Sequence, residues 1–256
     1  SKDNYHQSKS FPKYTVTGQP GTWEPTPPAY MEGIEPHWNK IRTFVIDSAA
    51  QFKVSPPPAY STDPNSEFYQ KAKEVYDAVV NASKEELDIA MSIAAIAAKT
   101  ANADWKKTAE ALAMTGISLH DAFVACWDEK YRSKLVRPET YINQFIDQEW
   151  VPYLQTPPFP EHTSGHSVAS TSAAFTLTQI FGEDFHFVDS SEVNYGLPIR
   201  EFDSFMEASA EAAISRFYGG IHYMPAINEG VWQGRKVGEL IWSRISTKPE
   251  NLAENK

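Results

Sequence analysis

Apolar residues recur at helical spacing through most of the chain beyond Ser66. Phe68, Ala72, Val75 and Val79 step by three and four residues and share one helical face. Ser83-Lys-Glu-Glu86 has the form of a capping box and predicts a helix over 87–100. Asp104 is placed to cap a third helix, whose apolar stripe is Leu112, Thr115, Leu119, Phe123 and Cys126. Pro138, as a first-turn proline, opens another with Tyr141, Ile142, Phe145 and Ile146 inward. Small residues fill 167–174 ahead of Phe175, Leu177 and Ile180, which predicts a helix packed closely on its neighbours. Residues 200–218 are helical by spacing and end at Gly219-Gly220; a last amphipathic helix covers 228–245. Strand-like alternation is almost absent, and no internal repeat is evident. The pattern predicts a mainly α helical bundle.

The first 64 residues break that pattern. Ten of the 18 prolines lie at or before Pro64. Proline fixes φ and removes a donor, so this stretch is predicted to be extended and irregular, with one short helix within 36–51. It also carries Trp23, Tyr30, Trp38, Phe44, Phe52 and Tyr60, more aromatic surface than a disordered arm holds. The expected organisation is one domain over 1–256: a belt over 1–64 lying on a helical core over 65–246, with a polar tail over 247–256.

Composition narrows the class without deciding it. The 256 residues are 41% hydrophobic and 22% charged, an ordinary globular balance. Subtracting 33 acidic from 23 basic residues leaves −10, which argues against a nucleic-acid or anionic-membrane partner. No apolar run approaches the ~20 residues of a membrane-spanning helix, so membrane insertion is not expected. The single cysteine, Cys126, excludes an internal disulfide or a multi-cysteine metal site and reads as a small buried hydrophobe.

Three segments carry chemistry: Lys130-Tyr-Arg-Ser-Lys-Leu-Val-Arg137-Pro138, Thr163-Ser164-Gly165-His166, and Ser215-Arg216-Phe-Tyr-Gly-Gly-Ile-His222. Lys130, Arg137 and Arg216 offer three cations, two of them planar forks suited to tetrahedral oxyanions. Ser164 adds a hydroxyl. The Gly165 amide stands at a helix N-terminus with no Cβ to keep an anion away. His166 and His222 are then the candidates for nucleophile or ligand and for general acid/base. Together these residues describe a cationic pocket for a phosphate-like oxyanion. His6, His37, His120 and His186 lack such a context and are assigned to structure; no histidine pair has zinc-site spacing.

K-x6-R-P, S-G-H and S-R-x5-H together resemble the signature shared by type 2 phosphatidic-acid phosphatases and vanadium-dependent haloperoxidases. Trp127-Asp-Glu-Lys-Tyr131, Arg137-Pro-Glu-Thr-Tyr-Ile-Asn143, Thr156-Pro-Pro-Phe-Pro160, Tyr218-Gly-Gly-Ile-His-Tyr223 and Gly21-Thr-Trp-Glu-Pro-Thr-Pro-Pro28 are similar to the bacterial haloperoxidases, the iodide-oxidising members above all. The resemblance implies vanadate as cofactor, with phosphate able to take the same place. It implies His222 as the ligand to vanadium, and Lys130, Arg137, Ser164, Gly165 and Arg216 as holders of the oxygens. His166 would act as acid/base when hydrogen peroxide binds, and halide, iodide first and bromide second, would leave as a hypohalous species. Trp127, Phe159 and His162 flank these motifs and are candidates for the halide side of the pocket. Glu161, an acid there, is expected to face outward.

Thr163 stands where family phosphatases carry proline. Ala226 stands where many members carry the acid that orients the last histidine, which leaves the partner of His222 unassigned. The family also carries a longer helical N-terminal portion than this chain. Two other readings of the pocket remain open. An acid phosphatase would use His222 as nucleophile and His166 to protonate the leaving group; an oxyanion-binding protein would use neither. Export to the periplasm or beyond is expected from the environmental origin of peroxide and halide.

Overall fold

The computed structural model describes residues 10–81, 93–190, 193 and 198–245. Helix α1 spans Glu67–Asn81, α2 Ile93–Thr100, α3 Trp105–Ser133, α4 Pro138–Phe145, α5 Gly165–Phe181, α6 Phe205–Tyr218 and α7 Met224–Ile245. Two short strands, β1 (Phe187–Asp189) and β2 (Arg200–Phe202), pair antiparallel with Phe187 opposite Phe202. The chain folds as the mainly helical bundle that its periodicity predicts. The capping box at 83–86 lies outside the described residues.

Helix α5 packs against α3, α6 and α7. It does so with small side chains, burying Ser167, Ala169, Thr171, Ser172 and Ala174. Helix α7 meets it with glycine at every fourth position. A Cβ on Gly234 would lie 2.2 Å from the Val168 carbonyl oxygen, and one on Gly230 2.8 Å from Ser167 Cβ. Position 234 therefore has no room for a side chain, and the two backbones meet almost directly. Buried hydroxyls tie the same helix sideways: Ser118 and Thr176 are 2.7 Å apart, Thr171 and Ser209 3.0 Å. Each satisfies a group that burial would otherwise leave unpaired.

The proline-rich segment wraps the bundle through backbone and side-chain bonds. The Trp23 amide donates to the Lys134 carbonyl (2.7 Å) and the Val136 amide to Gly21 (2.9 Å), and Trp23 is fully buried. The Asp121 carboxylate, buried in α3, accepts the amides of Phe44 (2.8 Å), Val45 (2.7 Å) and Ile46 (3.0 Å). Burial alone would raise the Asp121 carboxyl, but the His120 hydrogen bond and these three amides hold it below the ordinary carboxylate range. The same bonds divert 44–46 from helix, so the expected short helix is a single 3₁₀ turn, Trp38–Lys40.

Three expectations are corrected. Residues 200–202 are strand, and α6 starts only after Ser204, whose hydroxyl accepts the Glu207 amide at 3.1 Å. Helix α7 begins four residues before position 228, with Pro225 tolerated in its first turn. Of the α3 stripe only Cys126 is core. The buried face runs instead through Ala111, Met114, Ser118, Ala122 and Ala125, while Leu112, Thr115, Leu119 and Phe123 line a cavity.

The α5–α7 contact yields a contrast between two glycines. Gly234→Ala is expected to lower the unfolding free energy by about 1–3 kcal/mol. Gly116→Ala in α3, where a Cβ meets nothing, is expected to raise it by up to about 1 kcal/mol. Urea titration of both variants checks the pair.

Candidate active site

Four elements deliver the three motifs to one place. The last turns of α3 carry Lys130. Arg137 is the residue preceding α4, and its extended backbone (φ −76°, ψ 153°) frees its side chain to turn inward. Ser164 caps α5, its Oγ accepting the Ser167 amide at 3.3 Å, so its own O–H is left to donate. The amides of Gly165 and His166 belong to the first helical turn, where no earlier carbonyl of the helix can accept them. Arg216 lies in the last turn of α6, and Gly219-Gly220 reverses the chain so that His222 returns beside it. That turn needs glycine twice: a Cβ at 219 would meet Leu154 Cδ1 at 2.5 Å, and Gly220 has φ +77°.

Lys130 and Arg137 are both fully buried. Lys130 Nζ donates to the carbonyls of Pro160 (3.0 Å), Glu161 (3.0 Å) and Thr163, which uses all three of its protons. Arg137 Nε donates to Phe159 O (2.9 Å), and Nη1 donates to Ile221 O (2.7 Å) and His222 Nε2 (3.3 Å). Arg137 Nη2 is buried without a protein partner. The Phe159 ring lies 5.0 Å from Lys130 Nζ and 5.1 Å from the Arg137 guanidinium carbon, so its π face serves both cations.

The Glu161 carboxylate acts on both. Glu161 is fully buried, and its Oε1 accepts from His222 Nδ1 (2.8 Å) and from the Tyr223 amide (2.9 Å). The proton positions follow. Arginine can only donate, so His222 Nε2 is the unprotonated nitrogen and Nδ1 carries the proton to Glu161. The ring is neutral, its charged form opposed by burial first and then by Arg137 and Lys130. Burial pushes Lys130 down to about 7 and Glu161 up to about 7, while Arg137 falls to about 10. His166 is held down to about 4 by desolvation, then by Arg216 and Lys130; its ring lines a cavity and keeps exposed surface.

That cavity has a volume of about 500 Å³, and Trp127, Phe159, Gly165, His166 and His222 are among its lining residues. Among the described residues no cluster of histidine, cysteine and carboxylate side chains is arranged to hold a bare metal ion. A single neutral imidazole nitrogen, buried cations, an orphan guanidinium N–H and a helix N-terminus fit an oxyanion with an electrophilic centre instead.

Comparison with known proteins agrees with this donor set. The model of the VCPO second helical-bundle domain matches residues 143–251. The crystal structure of the first bacterial vanadium-dependent iodoperoxidase superposes with a TM-score of 0.92 at 54% identity, covering 95% of this chain and 65% of that one. The chain is similar to the bacterial vanadium-dependent haloperoxidases. It spans 65% of the iodoperoxidase's length. Holo- and apo-type bacterial vanadium-dependent chloroperoxidases, each 16% identical, share the fold at TM-scores of 0.65 and 0.64; they cover 90% and 88% of this chain and are covered to 63% and 62%. A comparison with curated proteins gave no match.

Within this site, the structure brings Lys130, Arg137, Ser164, Gly165, His166 and His222 together, and the charge of Arg216 is felt by both imidazoles. Trp127 and Phe159 line the cavity, their rings 5.0 Å apart. His162 is not among its lining residues: its Nε2 donates to the Ser55 carbonyl at 3.2 Å, and it lines a separate small cavity together with Glu161. Lys130 anchors the 160–163 segment and contributes charge, since its protons are already taken. Glu161, expected outward, points inward because two buried cations and the His222 N–H need an acceptor; it fills the role that Ala226 leaves open. The signal was the position of the acid, Glu161, three residues before the Ser164-Gly165-His166 motif on which the cations converge. Thr163 donates its hydroxyl to Gln233 Oε1 (2.9 Å), and Gln233 Nε2 donates to Phe52 O (3.1 Å) and Ala125 O (3.3 Å).

Burial holds His162 down to about 4, helped by Lys130, against about 6.5 in an unfolded chain. As pH falls from 6.5 toward 4 the unfolded chain gains a proton that the fold refuses, so this histidine removes stability in that window. Wild type is expected to lose up to about 1.4 kcal/mol per pH unit more than His162→Gln there. Urea unfolding at a series of pH values checks it; parallel curves would contradict the assignment.

Proposed function

We propose that this chain houses the reaction centre of a vanadium-dependent haloperoxidase that oxidises halide, iodide first and bromide second, with hydrogen peroxide. The observation that carries the reading is His222: a neutral imidazole on the cavity wall whose Nδ1–H is spent on Glu161 and whose unprotonated Nε2 lies among buried cations, 3.3 Å from Arg137 Nη1. The 54% identity to a structure described as a vanadium-dependent iodoperoxidase supports the choice of cofactor and of iodide.

In this reading His222 Nε2 is the ligand atom. Arg137 Nη2, the Arg216 guanidinium, the Ser164 hydroxyl and the Gly165 amide hold the oxygens, while Lys130 adds positive charge from the wall. Vanadate supplies a Lewis acid that activates peroxide without changing its own oxidation state. His166, neutral at working pH, takes a proton from hydrogen peroxide at a ring nitrogen and returns it as the hypohalous species leaves. Glu161 keeps Nδ1 of His222 protonated, so the lone pair stays on the cavity side. Phosphate, of like shape and charge, competes for the same donors. The apolar cavity walls admit a halide yet offer little to hold its hydration shell. Export to the periplasm or the medium would place the enzyme where peroxide and halide meet.

The Glu161–His222 pair would equally orient a nucleophile for phosphate-ester hydrolysis, so the test runs both reactions. After reconstitution with vanadate, oxidation of iodide is expected to exceed that of bromide. Phosphate-ester turnover without halide oxidation would overturn the reading.

Three variants test the roles. His222→Ala is expected to abolish tight vanadate binding, and His166→Ala to spare binding while removing most turnover. Arg137→Ala should weaken vanadate affinity by about 1.5–3 kcal/mol. Calorimetric titration with vanadate reads all three; equal losses in the two histidine variants would reverse the roles.

A further inference from the structure

A second cavity of about 10 Å³ shares no lining residue with the large one and is lined in part by Glu161, the partner of His222 Nδ1. Its lining includes Glu161, His162 and Tyr223, walled by Pro57, Pro58 and Pro225. Each of these three polar residues carries one buried atom with no protein hydrogen-bond partner: Glu161 Oε2, His162 Nδ1 and the Tyr223 hydroxyl. Three orphans around one small space call for an account, because each costs about 1–3 kcal/mol if left unpaired.

Their polarities are complementary to one small ligand. His162 Nε2 faces the Ser55 carbonyl and must donate to it, so Nδ1 is a lone pair that can only accept. Glu161 already accepts two N–H groups on Oε1, and Oε2 is a second acceptor. The Tyr223 hydroxyl is the one donor. A water molecule donates twice and accepts twice, and it needs about 10–15 Å³ and two to four polar partners to be held in a protein interior. The cavity meets the lower bound of size and supplies three partners.

We propose that a single structural water occupies this cavity, donating to Glu161 Oε2 and His162 Nδ1 and accepting from Tyr223 Oη–H. The water clamps the free oxygen of Glu161, so Oε1 stays directed at His222 Nδ1. Tyr223 and His162 are then positioning residues that act through the water and Glu161. This second step rests on the reading of His222 as the vanadium ligand; the water site itself does not.

The test is a high-resolution crystal structure of wild type and of Tyr223→Phe, with vanadate affinity and the His222 Nδ1–H proton resonance measured on both. Expected is one density peak within about 3.2 Å of all three atoms in wild type. In Tyr223→Phe the peak should be lost or displaced, the resonance shifted and vanadate bound about 10-fold more weakly. No peak in wild type overturns the water site. A peak with unchanged resonance and affinity in Tyr223→Phe overturns the positioning role. If wild type binds no vanadate, the proposed function fails, while the density still decides the water.

Discussion

The cost of burying Lys130 and Arg137 organises this molecule. Neither side chain reaches solvent, and water would otherwise solvate each far better than protein can. The fold answers with main-chain carbonyls from residues 159–163 and 221, with the face of Phe159, and with the Glu161 carboxylate. Lys130, Arg137 and Arg216 all act on His222, so the face turned to the imidazoles is short of negative charge. An anion is what completes it, and the same deficit that destabilises the empty site supplies the attraction for an oxyanion. Recognition is local: the chain as a whole carries −10.

Geometry for that centre comes from helices brought unusually close. With Gly230 and Gly234 flush against α5, the first turn of α5 is locked relative to α7, and the Ser164 amide reaches the Ala226 carbonyl at 3.0 Å. The belt is part of this construction. Its backbone bonds at Thr22–Leu135 fix the segment between Lys130 and Arg137. The Ser55 carbonyl in turn holds His162 behind the acid. A stretch with almost no regular structure thus braces the elements on which the chemistry stands.

Much of this was legible in the residues alone. The helices followed from periodicity and caps, with Asp104 and Pro138 marking their starts where the structure has them. The three motifs led to the cations, Ser164, Gly165 and the two imidazoles. What escaped had physical causes. Glu161 sits in a proline-rich connector without periodicity, so nothing local tells inward from outward; only the balance of buried charge does. The carbonyl partners of Lys130 are main-chain atoms, which side-chain spacing does not reveal. The two strands are three residues each, too short for alternation to show. The α3 stripe was misjudged because that helix has two apolar faces, one against α5 and α7 and one on the cavity.

Thr163 shows how far a single hydroxyl extends. Through Gln233 it connects the signature loop to α3, α7 and the belt at Phe52. A proline here has no hydroxyl to offer, and Gln233 would keep an amide oxygen with nothing to accept from. Positions 163 and 233 therefore form a coupled pair. Grafting the phosphatase-type loop into this scaffold means rewriting a residue seventy positions downstream in α7 as well, so the signature is not a detachable cassette.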